Sequence, residues 1–196
     1  TTSVTSSAPY GQHEVANFAV NKGKWYYEAF MSSVGSGGQC AVGFHEGMEA
    51  NALNTGHNNL GSSGNNYYGS GGSVRNSDDS SISTNYDTYT DDDIIGYAID
   101  LDNDKFYVSK GGVWQASGDP SGGSNGVSIT DGYNGYFTPF CSKDDTTNNT
   151  TILFNFGNPA WAISSSQADD NGYGNFEYDV PTGFYALCTK NLAEFG

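Results

Sequence analysis

The sequence predicts an all-β fold of many short strands joined by loops, and three observations predict it. Apolar segments are short and end in clusters of Gly, Ser, Asn and Asp. No stretch carries the period of a long amphipathic helix. One run, Asp91 to Gln115, reads as a β-hairpin with a single apolar face. With Asn103 and Asp104 as its loop, Asp102 faces Lys105, Leu101 faces Phe106, Asp100 faces Tyr107 and Ile99 faces Val108. A strand period of two then puts the large apolar pairs on one side and Asp100, Tyr107, Ala98 and Ser109 on the other. Asp104 tolerates a positive φ less well than Asn103, so a slightly longer loop is compatible, and the register is expected to survive it.

The remaining elements follow in order. Residues 1–12 are polar and turn-rich and are expected to form an N-terminal arm or linker, with residues 13–196 as a single domain. Apolar residues alternate loosely from His13 to Val20, and Trp25, Tyr27 and Ala29 then share one face of an aromatic strand that begins at Gly23. Cys40 to Phe44 reads as a buried strand in which Gly43 permits close approach of another group. From His45 to Asp93 the chain is mostly Gly, Asn, Ser and Asp, a long loop region with room for two short strands. Tyr136 to Cys141 resumes an aromatic strand that Pro139 marks as edge-like or bulged. Thr151 to Phe156 is the next strand, Asn158-Pro159 suits one short helical turn through Ile163, and Phe184 to Cys188 is the closing strand.

The chain has 196 residues, 36% hydrophobic and 14% aromatic, enough to bury one core. Its formal charge of −15 makes phosphate backbones and anionic membranes unfavourable surfaces, so neither nucleic acid nor membrane insertion is expected. Such acidity reads first as solubility. No signal peptide, membrane-spanning run or basic targeting segment is present, and the chain starts Thr-Thr-Ser-Val without Met; it is expected to be an excised piece of a longer protein.

Cys40, Cys141 and Cys188 are odd in number, widely spaced and flanked by apolar residues, the pattern of buried reduced thiols. The three histidines show no metal-ligand spacing, and no cofactor or metal is expected. Gly122 to Gly126 matches a nucleophile elbow in letters only, since every histidine comes earlier in the chain. Asp100 and Asp102 have the alternate spacing of glycosidase acids, but both flank a hairpin turn, where Asp102 can pair with Lys105. Asp100 to Asp104 also imitates the start of a calcium loop, yet Lys105 and Gly111 stand where that loop needs Gly and Glu. The chain is therefore not expected to be an enzyme.

Gly23 to Glu28, Val42-Gly43-Phe44, Ile95 to Asp102, Lys105 to Trp114 and Asn155-Phe156-Gly157 together resemble the SPRY domain in order and spacing, over roughly Gly23 to Leu192. The resemblance implies a bent antiparallel β-sandwich, similar to the concanavalin A-like lectins, with ligand contacts on loops at its rim. The tail from Asn171 to Leu192 resembles a subgroup found in bacteriophage structural proteins, which implies a place in a tail fibre or other virion appendage. The long acidic loop between Phe44 and Ile94 departs from animal SPRY domains, so their peptide-binding residues do not carry over.

Tyr26, Tyr97, Tyr136, Tyr185 and Trp25 lie in strands and are expected in the core or on a sheet face. Tyr67, Tyr68, Tyr86, Tyr89 and Tyr133 lie in polar loops with Asn58, Asn59 and Asp87 nearby. There an aromatic plane can stack on a sugar or anchor a protein while amides and carboxylates supply hydrogen bonds; such tyrosines can equally pack their own loop. These eight residues are the candidate ligand-binding set. The expected function is a non-enzymatic recognition module of a phage virion, made in the host cytoplasm. Its expected partners are a host-surface glycan or protein and other virion subunits, including copies of itself. The alternatives are a decoration or spacer domain without a ligand and, third, a polysaccharide-degrading enzyme.

Overall fold

Along β3 (Lys24–Ser33) the side chains of Trp25, Tyr27, Ala29 and Met31 alternate with Tyr26 and Glu28, and all six are buried. A strand buried on both faces must lie inside a sheet that is covered twice. The computed structural model describes residues 2–6, 12–34, 40–46, 65–75, 81–83, 86–129, 135–143 and 150–196, and shows how. One sheet runs in the order β1 (Thr2–Ser6), β13 (Thr150–Asn155), β3, β8 (Ile94–Asp100), β9 (Lys105–Lys110), β10 (Val113–Trp114). On it, β11 (Val127–Ser128) pairs with β9, and β14 (Tyr185–Ala186) lies parallel to the start of β3. The second sheet runs β2 (Gln12–Val15), β12 (Phe137–Lys143), β4 (Cys40–Glu46), β5 (Asn65–Gly69), β6 (Val74–Arg75), β7 (Ser81–Ser83).

Between the sheets sits the main core, in which β3, β8, β9 and β13 meet Val42, Phe44, Tyr68, Phe137 and Cys141 of the opposite sheet. Tyr27 is its centre: its ring packs on Phe44 (5.5 Å), Tyr97 (5.6 Å) and Phe154 (5.6 Å). The Tyr27 hydroxyl crosses the gap and donates to the Gly43 carbonyl at 2.8 Å, the close approach expected of a glycine there. A second apolar cluster covers the outer face of the first sheet, where Phe176, Phe184 and Ala186 pack on Tyr26, Ala98 and Tyr107.

Several elements differ from expectation. The hairpin keeps its two faces but not its register: Ile99 faces Phe106, Ala98 faces Tyr107 and Asp100 faces Lys105. Its loop has four residues, Leu101 to Asp104, because the Asp100 carboxylate caps it, accepting from the Asp102 N–H (3.2 Å) and the Asn103 N–H (3.1 Å). Asp104 takes the left-handed position, φ 52°. A slip of two residues preserves side-chain parity, so alternation alone could not detect it. Asp100 also pairs with Lys24 (2.9 Å), whereas Asp102 accepts from the Gly23 N–H (2.8 Å) and makes no pair with Lys105, whose ammonium donates to the Gly123 carbonyl. Replacing Asp100 by Asn is expected to cost about 1–2 kcal/mol in a urea unfolding measurement, because the ion pair to Lys24 and the Oδ2 acceptor of Asn103 Nδ2 are lost while Oδ1 still caps the loop.

Residues 1–12, expected as an arm or linker, contribute an edge strand instead: Thr2 to Ser6 pairs antiparallel with β13. Pro139 is not at a sheet edge, since β12 pairs with both β2 and β4. Its missing N–H is covered locally: Ala16 donates to the Pro139 carbonyl (2.9 Å) and the Thr138 hydroxyl donates to the Ala16 carbonyl (3.1 Å) in place of the absent proline donor. Tyr136, expected in the core or on a sheet face, stands just before β12 and is 48% exposed. Asn158-Pro159 starts no helical turn. The closing strand shrinks to Tyr185–Ala186, and α1 (Thr189–Phe195) follows, held by Phe195 stacked on Tyr185 at 4.3 Å.

Candidate functional site

The candidate tyrosines divide. Asn58, Asn59 and Tyr133 lie outside the described residues, and Tyr67 is placed in β5 opposite Gly43 and Arg75. Tyr68 and Tyr89, expected on loops, are core residues. Their rings meet edge to face at 5.1 Å; the Tyr68 hydroxyl donates to the Asp87 carbonyl, and the Tyr89 hydroxyl lies 3.1 Å from the Cys40 carbonyl and 3.0 Å from that of Tyr68. Desolvation holds both phenols well above their ordinary pKa, so they stay neutral donors. A tyrosine whose hydroxyl finds a buried carbonyl is a core residue whatever its neighbours in sequence. Tyr86 remains half-buried beside Tyr68 and Asp87 exposed, its N–H donating to the Gln115 side chain at 3.1 Å. Of the eight candidates, these two keep a described outward surface.

Three buried acids are occupied by structure. Asp100 is buried under its own loop with Lys24. Glu28, also buried, accepts from the N–H groups of Glu177 (3.0 Å) and Tyr178 (2.8 Å), from the Tyr26 hydroxyl (3.2 Å) and from Asn155 Nδ2 (3.4 Å). Burial raises its pKa, against the lowering effect of these donors. Asp169 ties the same segment down, accepting from the N–H groups of Asn171, Tyr173 and Ala186 and from Asn191 Nδ2. Gly122 to Gly126 forms a turn closed by the Asp119–Ser124 bridge, not a strand-to-helix elbow. Among the described residues no group of three His, Cys, Asp or Glu side chains is placed to hold a metal ion, and no helix is long and apolar enough to cross a membrane.

An open cleft of about 620 Å³ lies where the first turn, the end of β13 and α1 converge. Phe18 and Phe156 meet edge to face at 5.3 Å on one side; Tyr173, Cys188 and Leu192 line the other. Its floor is a pair of glycines at positive φ, Gly157 (101°) and Gly174 (94°), and a Cβ on Gly157 would stand 3.1 Å from the Gly174 Cα. Lys190 sits over the Tyr173 ring at 4.3 Å, and its hydrogen bond to that residue raises its pKa. The cleft residues come from four separate stretches of chain, and none of the side chains was a candidate for ligand binding in the sequence. The one available signal was the Asn155-Phe156-Gly157 motif, which ends a strand at a position only glycine suits.

No family model matches the chain, and no curated protein does. Among solved structures, the SPRY domain of human HERC1 superposes with a TM-score of 0.56 over 78% of this chain and 86% of that one, at 12% identity. The fold is SPRY-like. Within this SPRY-like sandwich the hairpin β8–β9 and the strand β3 occupy the centre of the first sheet, and the tail from Asn171 onward packs on that sheet's outer face.

All three thiols are free, and they are not equivalent. Desolvation raises Cys40 to about 11 and Cys141 higher still, whereas Cys188, expected to be buried, is half-buried at the cleft. In the native protein near neutral pH an aromatic disulfide reagent is expected to titrate one thiol quickly and the other two only on unfolding, since the thiolate is the reacting species. Peptide mapping should place the fast label on Cys188.

Proposed function

We propose that this chain is a non-enzymatic recognition module of a phage virion, in a tail fibre or head appendage, that binds a glycan or protein on the host cell surface. The observation that supports it most directly is the commitment of the acids: Asp100, Glu28 and Asp169 each spend their oxygens on backbone and side-chain donors of the fold. A glycosidase needs two carboxylates facing one substrate across open space. The likeness of the Asn171–Leu192 segment to phage structural proteins supports the virion setting, with synthesis in the host cytoplasm and other virion subunits, including copies of this chain, as neighbours. Fluorescently labelled protein should adsorb saturably to susceptible bacterial cells or bind spots on a glycan array. Absence of binding to both at micromolar protein would overturn the reading.

A second reading has its own observation. Tyr68 and Tyr89 face the core and not solvent, as a decoration or spacer domain without a ligand would allow. A virion arrangement in which neighbouring subunits cover Tyr86 and Asp87 would favour that alternative.

A further inference from the structure

We infer that the cleft between Phe18, Phe156 and Tyr173 is a binding site for an uncharged saccharide. The inference rests on the recognition reading above and deepens it by naming the site and the class of ligand.

Four features carry it. The volume, about 620 Å³, suits a ligand of two or three sugar rings and lies within the ordinary range for small-molecule sites. Three aromatic side chains, Phe18, Phe156 and Tyr173, stand half-buried around it. An aromatic plane with one open face is the surface on which the apolar face of a sugar ring packs, and the amide of Asn17 and the hydroxyl of Thr189 at the rim offer both donors and acceptors to ring hydroxyls. The fourth feature is charge. In a molecule with 22 acidic residues, none of the described residues lining the cleft carries a carboxylate or a cation. A cationic ligand would find no counter-charge in this lining, and an anionic one would enter against the field of the whole chain.

Two lining glycines at positive φ, Gly157 and Gly174, fix the backbone there: a Cβ on Gly157 would press on the Gly174 backbone and one on Gly174 on the Phe176 ring, so a larger residue at either position would strain the chain. Lys190 holds the Tyr173 ring from outside the cleft, fixing the stacking plane before a ligand arrives.

The test uses Cys188 as a reporter. Neutral trisaccharides (maltotriose, cellotriose, N,N′,N″-triacetylchitotriose and mannotriose) at millimolar concentration are added to the whole chain, and alkylation of Cys188 by N-ethylmaleimide is followed by mass spectrometry. At least one should slow labelling about fivefold or more, and Tyr173→Ala should weaken that protection about tenfold, the size expected for truncating a central aromatic. Asn17→Ala, at an exposed position, should weaken it without disturbing the fold, and circular dichroism checks both variants. If the chain adsorbs to cells or binds a glycan array but no neutral sugar protects Cys188 and Tyr173→Ala leaves that binding unchanged, the site is overturned and the recognition reading stands. If sulfated or sialylated oligosaccharides protect and neutral ones do not, the ligand class is overturned. If the chain binds neither cells, arrays nor trisaccharides, the site and the reading fall together.

Discussion

Glu28→Ala is expected to lower the unfolding free energy by about 3–5 kcal/mol, because it removes the buried acceptor of three donors and of one hydrogen of a fourth, Asn155 Nδ2, which keeps its bond to the Asn175 carbonyl. The N–H groups of Glu177 and Tyr178, the Tyr26 hydroxyl and Asn155 Nδ2 all end on this one carboxylate. Two of them belong to the C-terminal segment whose Phe176 and Phe184 cover the outer face of the first sheet. The variant should therefore lose stability in urea and also admit protease into the 167–184 region before the sandwich unfolds. A loss below about 1 kcal/mol, the range of an ordinary surface change, would show that the segment is held by its apolar contacts alone.

The same residue sets a pH dependence of unusual sign. Burial raises the Glu28 pKa in the folded chain. A group whose folded pKa lies above its unfolded one contributes stability that is complete below the unfolded value, about 4.3 for Glu, and that fades as pH rises through the folded value. On acidification from neutrality the wild-type chain should thus gain stability relative to Glu28→Gln. Urea midpoints of the two proteins across that interval measure the gain; a difference that is flat or falls toward acid would contradict it. Glu177, lowered by its hydrogen bonds to Ser164 and Ser165, works in the opposite direction and is common to both proteins, so it cancels.

Tyr27→Ala is expected to cost about 4–5 kcal/mol, at the upper end for large-to-small changes in a core. Its ring is fully buried and touches Phe44 from one sheet and Tyr97 and Phe154 from the other, so the cavity would open at the seam where neither sheet can collapse alone. Tyr27→Phe separates the two contributions, since it keeps the packing and removes only the bond to the Gly43 carbonyl, and should cost about 1 kcal/mol. Equal losses in the two variants would mean that the inter-sheet hydrogen bond, not the ring, carries the contribution.

The sequence by itself determined the class of fold, the alternation of β3 with Trp25, Tyr27 and Ala29 inward, and the apolar face of the hairpin, because each of these is a property of neighbours along one strand. The order of its motifs from Gly23 to Gly157 also pointed to the SPRY-like fold that the sandwich has. What only the tertiary structure decided are matters between segments. The hairpin register turned on where the Asp100 carboxylate found its donors, a choice that parity cannot see. Tyr68 and Tyr89 became core because the carbonyls of Asp87 and Cys40 happen to end beside their hydroxyls, 19 and 49 residues away in sequence. Glu28 looked like an ordinary polar position on a strand until the chain 150 residues later folded back to cover it. The cleft joins Phe18, Phe156 and Tyr173 in the same way: local period records which face a side chain takes, and only the return of distant backbone decides what it meets there.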